Sequence, residues 1–171
     1  MPRHLPSGTK RRKIPVGDGS TLVRFHLIDK VDAVEPGKSV LGKKLTSLSE
    51  DYWEPGEDGP VMPYPFILEA LCQAGTWLVM ISTDRRKRAA LLSIGSVEFL
   101  DVVRPGDVLD LDGRVDSMSD EVAVVSGRVT VDGRPVLEAS DIMCALIDAQ
   151  DLADLDDTER LQKMLTRADG S

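Results

Sequence analysis

The chain has 171 residues, 42% of them hydrophobic, with 21 basic and 29 acidic side chains and a formal net charge of -8. That length and apolar content suit one sizeable core rather than two domains, and the net acidity argues against a nucleic-acid partner. Two cysteines and two histidines give no metal-ligand spacing, so neither a metal nor another cofactor is expected.

Residues 1–20 hold Arg3 and the run Lys10, Arg11, Arg12, Lys13 among prolines and glycines. This reads as a disordered, solvated basic tail, the other reading being contact with phosphate or anionic lipid. No apolar stretch follows the first charges, so no secretory signal is expected and the protein is placed in the cytoplasm. Residues 23–34 and 39–47 read as strands joined at Glu35-Pro36-Gly37-Lys38, where Pro-Gly favours a type II turn. A loop rich in Glu, Asp, Gly and Pro spans 48–62. A long helix over 63–82 follows, with Pro65 in its first turn, where a missing N–H costs nothing.

After Thr83-Asp84 stands the cluster Arg85, Arg86, Lys87, Arg88. Four extended runs come next, at 89–103, 107–118, 121–131 and 134–148, with Asp132-Gly133 a strong hairpin signal. Residues 151–167 carry acids first and bases last, which suits a surface helix. The predicted fold class is α+β, an antiparallel sheet wrapped on one long central helix, with the domain over 21–149 and a helical tail over 150–171.

The helix PYPFILEALCQAGTWLVMIS is apolar on nearly every face. Its apolar run is somewhat short for a membrane span and carries Glu69 near the middle, so it reads as a buried core helix. Cys72 in this helix and Cys144 in the last strand read as small buried hydrophobes. Glu69, Gln73 and Thr76 stack at i, i+4 and i+7 into one stripe. A carboxylate inside an apolar helix needs a polar pocket, a partner or a raised pKa. That is how a catalytic acid or base is held, and equally how a satisfied core carboxylate is held.

The residues also resemble a family, the FabZ/FabA-type 3-hydroxyacyl-acyl-carrier-protein dehydratases of the hotdog fold. The resemblance runs from about Val23 to Ala149. It rests on Pro60-Val61-Met62-Pro63, Leu68-Glu69-Ala70-Leu71-Cys72-Gln73-Ala74, Arg104-Pro105-Gly106-Asp107, Val131-Asp132-Gly133 and Met143-Cys144-Ala145. It implies a dimer with acyl tunnels at the interface and an acyl carrier protein or coenzyme A thioester as partner. It further implies Glu69 as catalytic carboxylate oriented by Gln73, and Met62, Tyr64 and Thr76 against substrate. The cluster Arg85, Arg86, Lys87, Arg88 is then a candidate dock for an acidic carrier, its plainer role being to complement the helix dipole.

Two departures stand out. Pro55 occupies the place of the family's histidine and cannot move a proton. Tyr64 occupies the place of a glycine whose amide polarises the thioester carbonyl, which brings a large side chain to the tunnel mouth. His4 falls in the tail and His26 in the first strand. Dehydration needs both a base for the Cα proton and an acid for the leaving hydroxyl, and this chain offers one good candidate. The favoured reading is one half of a dehydratase heterodimer whose histidine comes from a related hotdog subunit. The alternatives are a hotdog thioesterase using Glu69, and a non-catalytic acyl-binding or scaffold subunit with Tyr64 plugging the tunnel.

Overall fold

A computed structural model describes residues 26–149 and 155–166 of the chain. The tail expected over residues 1–20 lies outside the described residues. Strands β1 (Lys30–Glu35) and β2 (Ser39–Leu45) form the first hairpin. Lys38 N–H donates to Glu35 O at 2.9 Å and Gly37 has φ 73°, the geometry of a type II turn with Pro36 leading. Residues 23–25 of the expected first strand lie outside the described residues, and among the described ones the strand starts at Lys30. The reason is that the Leu27 amide is taken by the helix, donating to Gln73 Oε1 at 2.8 Å. His26 consequently lies before β1, exposed, and not in a strand.

The loop before the helix contains a small hairpin that the sequence reading did not anticipate, β3 (Glu54–Gly56) against β4 (Gly59–Val61), with Pro55 opposite Pro60. Arg104 pins its turn: Nη1 donates to Asp58 O at 3.0 Å. Arg104 is itself held in a turn with Gly106 at φ 96°, closed by Asp107 N–H donating to Arg104 O at 3.1 Å. The Arg104-Pro105-Gly106-Asp107 motif thus fixes the approach to the helix.

The central helix α1 (Tyr64–Ser82) has Pro65 in its first turn. Strands β5 (Lys87–Phe99), β6 (Val108–Met118), β7 (Val122–Val131) and β8 (Arg134–Asp148) follow, then α2 (Leu155–Leu165). Asp132 and Gly133 have φ 50° and 78°, the paired left-handed residues of a type I′ hairpin turn. The six-stranded antiparallel sheet has the order β1-β2-β6-β7-β8-β5 and curls around α1, the hotdog arrangement.

Ile67, Ala70, Ala74 and Leu78 of α1 pack on Val40, Leu109, Leu111, Val129 and Leu137 of the sheet, all buried. Each large aliphatic side chain so buried contributes roughly 1.5–3 kcal/mol. Close approach of helix and sheet depends on Gly127, which stands opposite Gly113 across the strands. A Cβ at Gly127 would meet Asp112 O at 2.5 Å and Leu71 Cδ1 at 2.9 Å. Helix α1 is long and apolar enough to cross a membrane by length and composition. Here it is the core helix.

Candidate active site

The stripe read from helical spacing is present and lines one cavity. Glu69, Gln73 and Thr76 face a space of about 210 Å³ between α1 and the sheet, walled by Cys72, Gly75 and Val79 of the helix and by Ala123, Val125, Ile142 and Cys144 of the strands. Glu69 is exposed as well as lining this space, so it marks the end that reaches solvent. The expectation of an enclosed carboxylate is therefore corrected: over the first turns of α1 the sheet leaves that face open.

Gln73 connects the carboxylate to the scaffold. Its Nε2 donates to Glu69 Oε1 at 2.9 Å, while its Oε1 accepts the Leu27 amide at 2.8 Å. With both ends engaged the carboxamide cannot flip without losing both bonds, so Glu69 has a defined orientation at the cavity mouth. Thr76 spends its hydroxyl on Cys72 O at 3.0 Å, within the helix, and contributes wall rather than a free donor.

Two of the expected substrate contacts lie elsewhere. Met62 is 1% exposed within the core, and its amide donates to Val103 O at 2.8 Å. The Tyr64 ring stacks on Phe99 of β5, with centroids 4.7 Å apart and planes at 30°. Neither residue lines the cavity, and Tyr64 does not plug it. The aromatic partner at the end of β5 draws the Tyr64 ring away, and the buried chain leading into the helix places Met62 in the core. Pro55 is exposed in the β3-β4 hairpin.

The basic cluster is divided among several directions. Arg85 Nη1 donates to Gln162 Oε1 at 3.3 Å, Arg86 Nε donates to Thr83 O at 3.1 Å, and Lys87 Nζ pairs with Asp148 at 3.0 Å. Arg88 reaches Met80 Sδ, and burial lowers its pKa. Asp84 and Arg85 are left-handed, at φ 48° and 63°, and β5 begins at Lys87, so alternate side chains diverge. Arg86 at the helix terminus matches the dipole role.

The cavity brings together two thiols that the sequence reading treated as inert. Burial, the nearby Glu69 carboxylate and Cys144 push the Cys72 thiol up to about 12. Burial also raises Cys144. Both stay protonated at neutral pH and are weak nucleophiles. The Leu27 amide and Gly75 are further site elements that sequence reasoning missed. Among the described residues no group of three or more His, Cys, Asp or Glu side chains has the arrangement to hold a metal ion.

Comparison with known proteins decides the family. The FabA-like domain model matches residues 21–140. The chain belongs to the FabA-like domain family. Over 124 residues it is 36% identical to the 3-hydroxyacyl-[acyl-carrier-protein] dehydratase FabZ of a Roseiflexus species, covering 71% of this chain and 86% of that protein. The FabZ of Halalkalibacterium halodurans is 34% identical over 124 residues, with 71% and 88% covered.

Solved structures share the fold at low identity. The dehydratase heterocomplex ApeI:P of Xenorhabdus doucetiae superimposes with a TM-score of 0.56 at 17% identity, covering 80% of this FabA-like chain and 89% of that one. A hypothetical thioesterase from Streptococcus pneumoniae with coenzyme A gives 0.54 at 19% identity, with 70% and 85% covered. A hotdog fold and relationship to FabZ dehydratases are thus established for this FabA-like chain.

Proposed function

We propose that the chain is a dehydratase subunit acting on 3-hydroxyacyl thioesters, and that Glu69 is its contribution to the chemistry. The observation that carries this reading is the chain of contacts Leu27 amide to Gln73 to Glu69, which aims one carboxylate into the mouth of an apolar cavity. The reaction breaks a Cα–H and the Cβ–OH bond, forms a Cα=Cβ double bond and releases water. Two proton transfers are needed, and Glu69 performs one of them.

The second falls to a histidine on a related hotdog subunit, because Pro55 has no titratable group and His26 sits outside the cavity lining. The geometry for such a partner is available at β5. Among the described residues this 13-residue strand is a sheet edge, hydrogen-bonded on one side to β8, and exposes Leu91 at 56% and Leu92 at 58%. An unpaired edge of that length with exposed leucines is a template for a second sheet. Leu91 also lines the cavity, so a partner at this edge would complete its wall. The FabZ relatives act on acyl-carrier-protein substrates by name, which favours an acyl carrier protein here, with a coenzyme A thioester the other carrier. The scattered cations leave Arg86, exposed, as the nearest candidate for docking such an acidic partner.

The test compares the purified chain alone with the chain co-expressed with a hotdog protein that carries the family's histidine where this chain has Pro55, following the 2-enoyl product spectroscopically. The chain alone should be at least about 100-fold slower than the pair, the usual cost of losing an acid or base. Fast dehydration by the chain alone would place the second group within it, with His26 first to be replaced. Thioester hydrolysis without dehydration would support the thioesterase reading.

A further inference from the structure

Gly75 lies in the middle of α1, where glycine weakens a helix relative to alanine. Its backbone is not in the left-handed region. An added Cβ would meet nothing nearer than Val125 Cγ2, at 3.7 Å, an ordinary contact. Gly127, by contrast, has backbone within 2.5 Å of that point. Neither conformation nor packing demands a glycine at 75. What its missing methyl leaves open is the cavity, of which Gly75 and Val125 are facing walls.

Helix and strand keep step along this seam. Leu71 lies against Gly127 and Gly75 against Val125, while Val79 packs with Ala123, Leu146 and Ala89 in a small cluster apart from the main core. Four helical residues rise about 6 Å and two strand residues about 6.6 Å, so the pairs stay aligned. Glu69 stands at one end, and Val79, about 15 Å further along the helix, closes the other with Ala89 and Ala123.

We infer that Gly75 sets the bore of an acyl channel and that Val79 with Ala123 forms its floor, so that the chain selects medium-length acyl groups. A cavity of about 210 Å³ that is closed about 15 Å along the helix from Glu69 has a bounded length, which points to medium-length rather than long acyl chains. The inference rests on the cavity being the acyl site proposed above and is independent of which residue moves the proton.

Binding is therefore the readout, by calorimetric titration of the chain, assembled with its hotdog partner, with butanoyl, octanoyl and dodecanoyl amide analogues of acyl pantetheine, which can be neither dehydrated nor hydrolysed. The octanoyl analogue should bind at least tenfold tighter than the butanoyl one, with no further gain for dodecanoyl. Gly75→Ala should leave the melting temperature unchanged or raised and weaken octanoyl about tenfold more than butanoyl. Val79→Ala should improve dodecanoyl at least fivefold. Octanoyl affinity retained in Gly75→Ala, or a lowered melting temperature there, would overturn the role of Gly75; an unchanged length profile in Val79→Ala would overturn the floor. No binding of any analogue to the assembled pair carrying the parent chain would instead overturn the acyl-site reading itself.

Discussion

A carboxamide at position 73 can donate and accept at once, and here it does both, to Glu69 and from Leu27. Gln73→Met keeps the length of the side chain and removes both bonds. It strands the Leu27 amide, costing about 1–3 kcal/mol, and releases Glu69 from its orientation, for which misplacement typically costs about 100-fold in rate. The expected result is a melting temperature lower by several degrees and a dehydration rate down about 100-fold in the assembled enzyme. Unchanged rate with lowered stability would make Gln73 structural only. Helical spacing made Glu69, Gln73 and Thr76 legible as a stripe. The Leu27 partner was not legible, being 46 residues away in sequence. Nor was the direction of Tyr64, which Phe99 decides from another strand.

Among the elements, the segment between β2 and β3 shows how the start of α1 is held. Lys44, with 5% of its side chain exposed, pairs with Glu50 at 2.7 Å and Asp29 at 3.1 Å. The Tyr52 hydroxyl donates to Glu50 at 2.5 Å, and the Tyr52 ring meets Phe66 of α1 edge-on at 5.3 Å. Burial opposes the charge on Lys44, but hydrogen bonds to Glu50 and Asp29 outweigh it and raise its pKa above 10.5. Burial likewise pushes Glu50 up, and the hydrogen bonds from Lys44, Tyr52 and Ser47 outweigh it and hold it below 4.5.

A depressed carboxylate stabilises the fold above its unfolded pKa and loses that stabilisation as pH falls through the folded value. A raised lysine stabilises below its unfolded pKa and loses that stabilisation as pH rises through the folded value. Their joint contribution is therefore full between about 4.5 and 10.5. Lys44→Met should lower the unfolding free energy across this plateau by about 1–2 kcal/mol, after allowing for the partial exposure of both acids. It should also flatten the flank on the acid side. Thermal melts from pH about 3 to about 11 would show it, and an unshifted curve would mean that the network carries no net stabilisation. The turns at Pro36-Gly37 and Asp132-Gly133 were legible because these turn types need left-handed backbone, which their glycines tolerate. The β3-β4 hairpin was not, since three-residue strands containing Pro55 and Pro60 have no alternating apolar pattern.

For the whole molecule, local signals specify which strands are hairpins, while the sheet order joins β2 to β6 and β8 to β5 through long-range pairing. The sequence pattern therefore indicated a sheet around a helix but not that β5 would be an edge, nor that Leu91 and Leu92 would be exposed on it. A charge on such an edge blocks pairing. Leu92→Lys should weaken association with the histidine-bearing hotdog partner at least tenfold by light scattering while leaving the far-UV signal of this chain intact. An unchanged dissociation constant would move the interface away from β5.

The central claim is that Glu69 of this chain does chemistry in a site completed by a histidine-bearing hotdog partner. Its most direct test is single-turnover dehydration of a 3-hydroxyacyl thioester by the assembled pair, with and without Glu69→Gln in this chain. The substitution preserves size and hydrogen bonding but cannot accept the proton, so the rate from this subunit's site should fall by about 10²–10⁴-fold with folding and assembly intact. A pair that keeps its full rate with Gln at position 69 would contradict the account and leave this chain as the scaffold of its partner's chemistry.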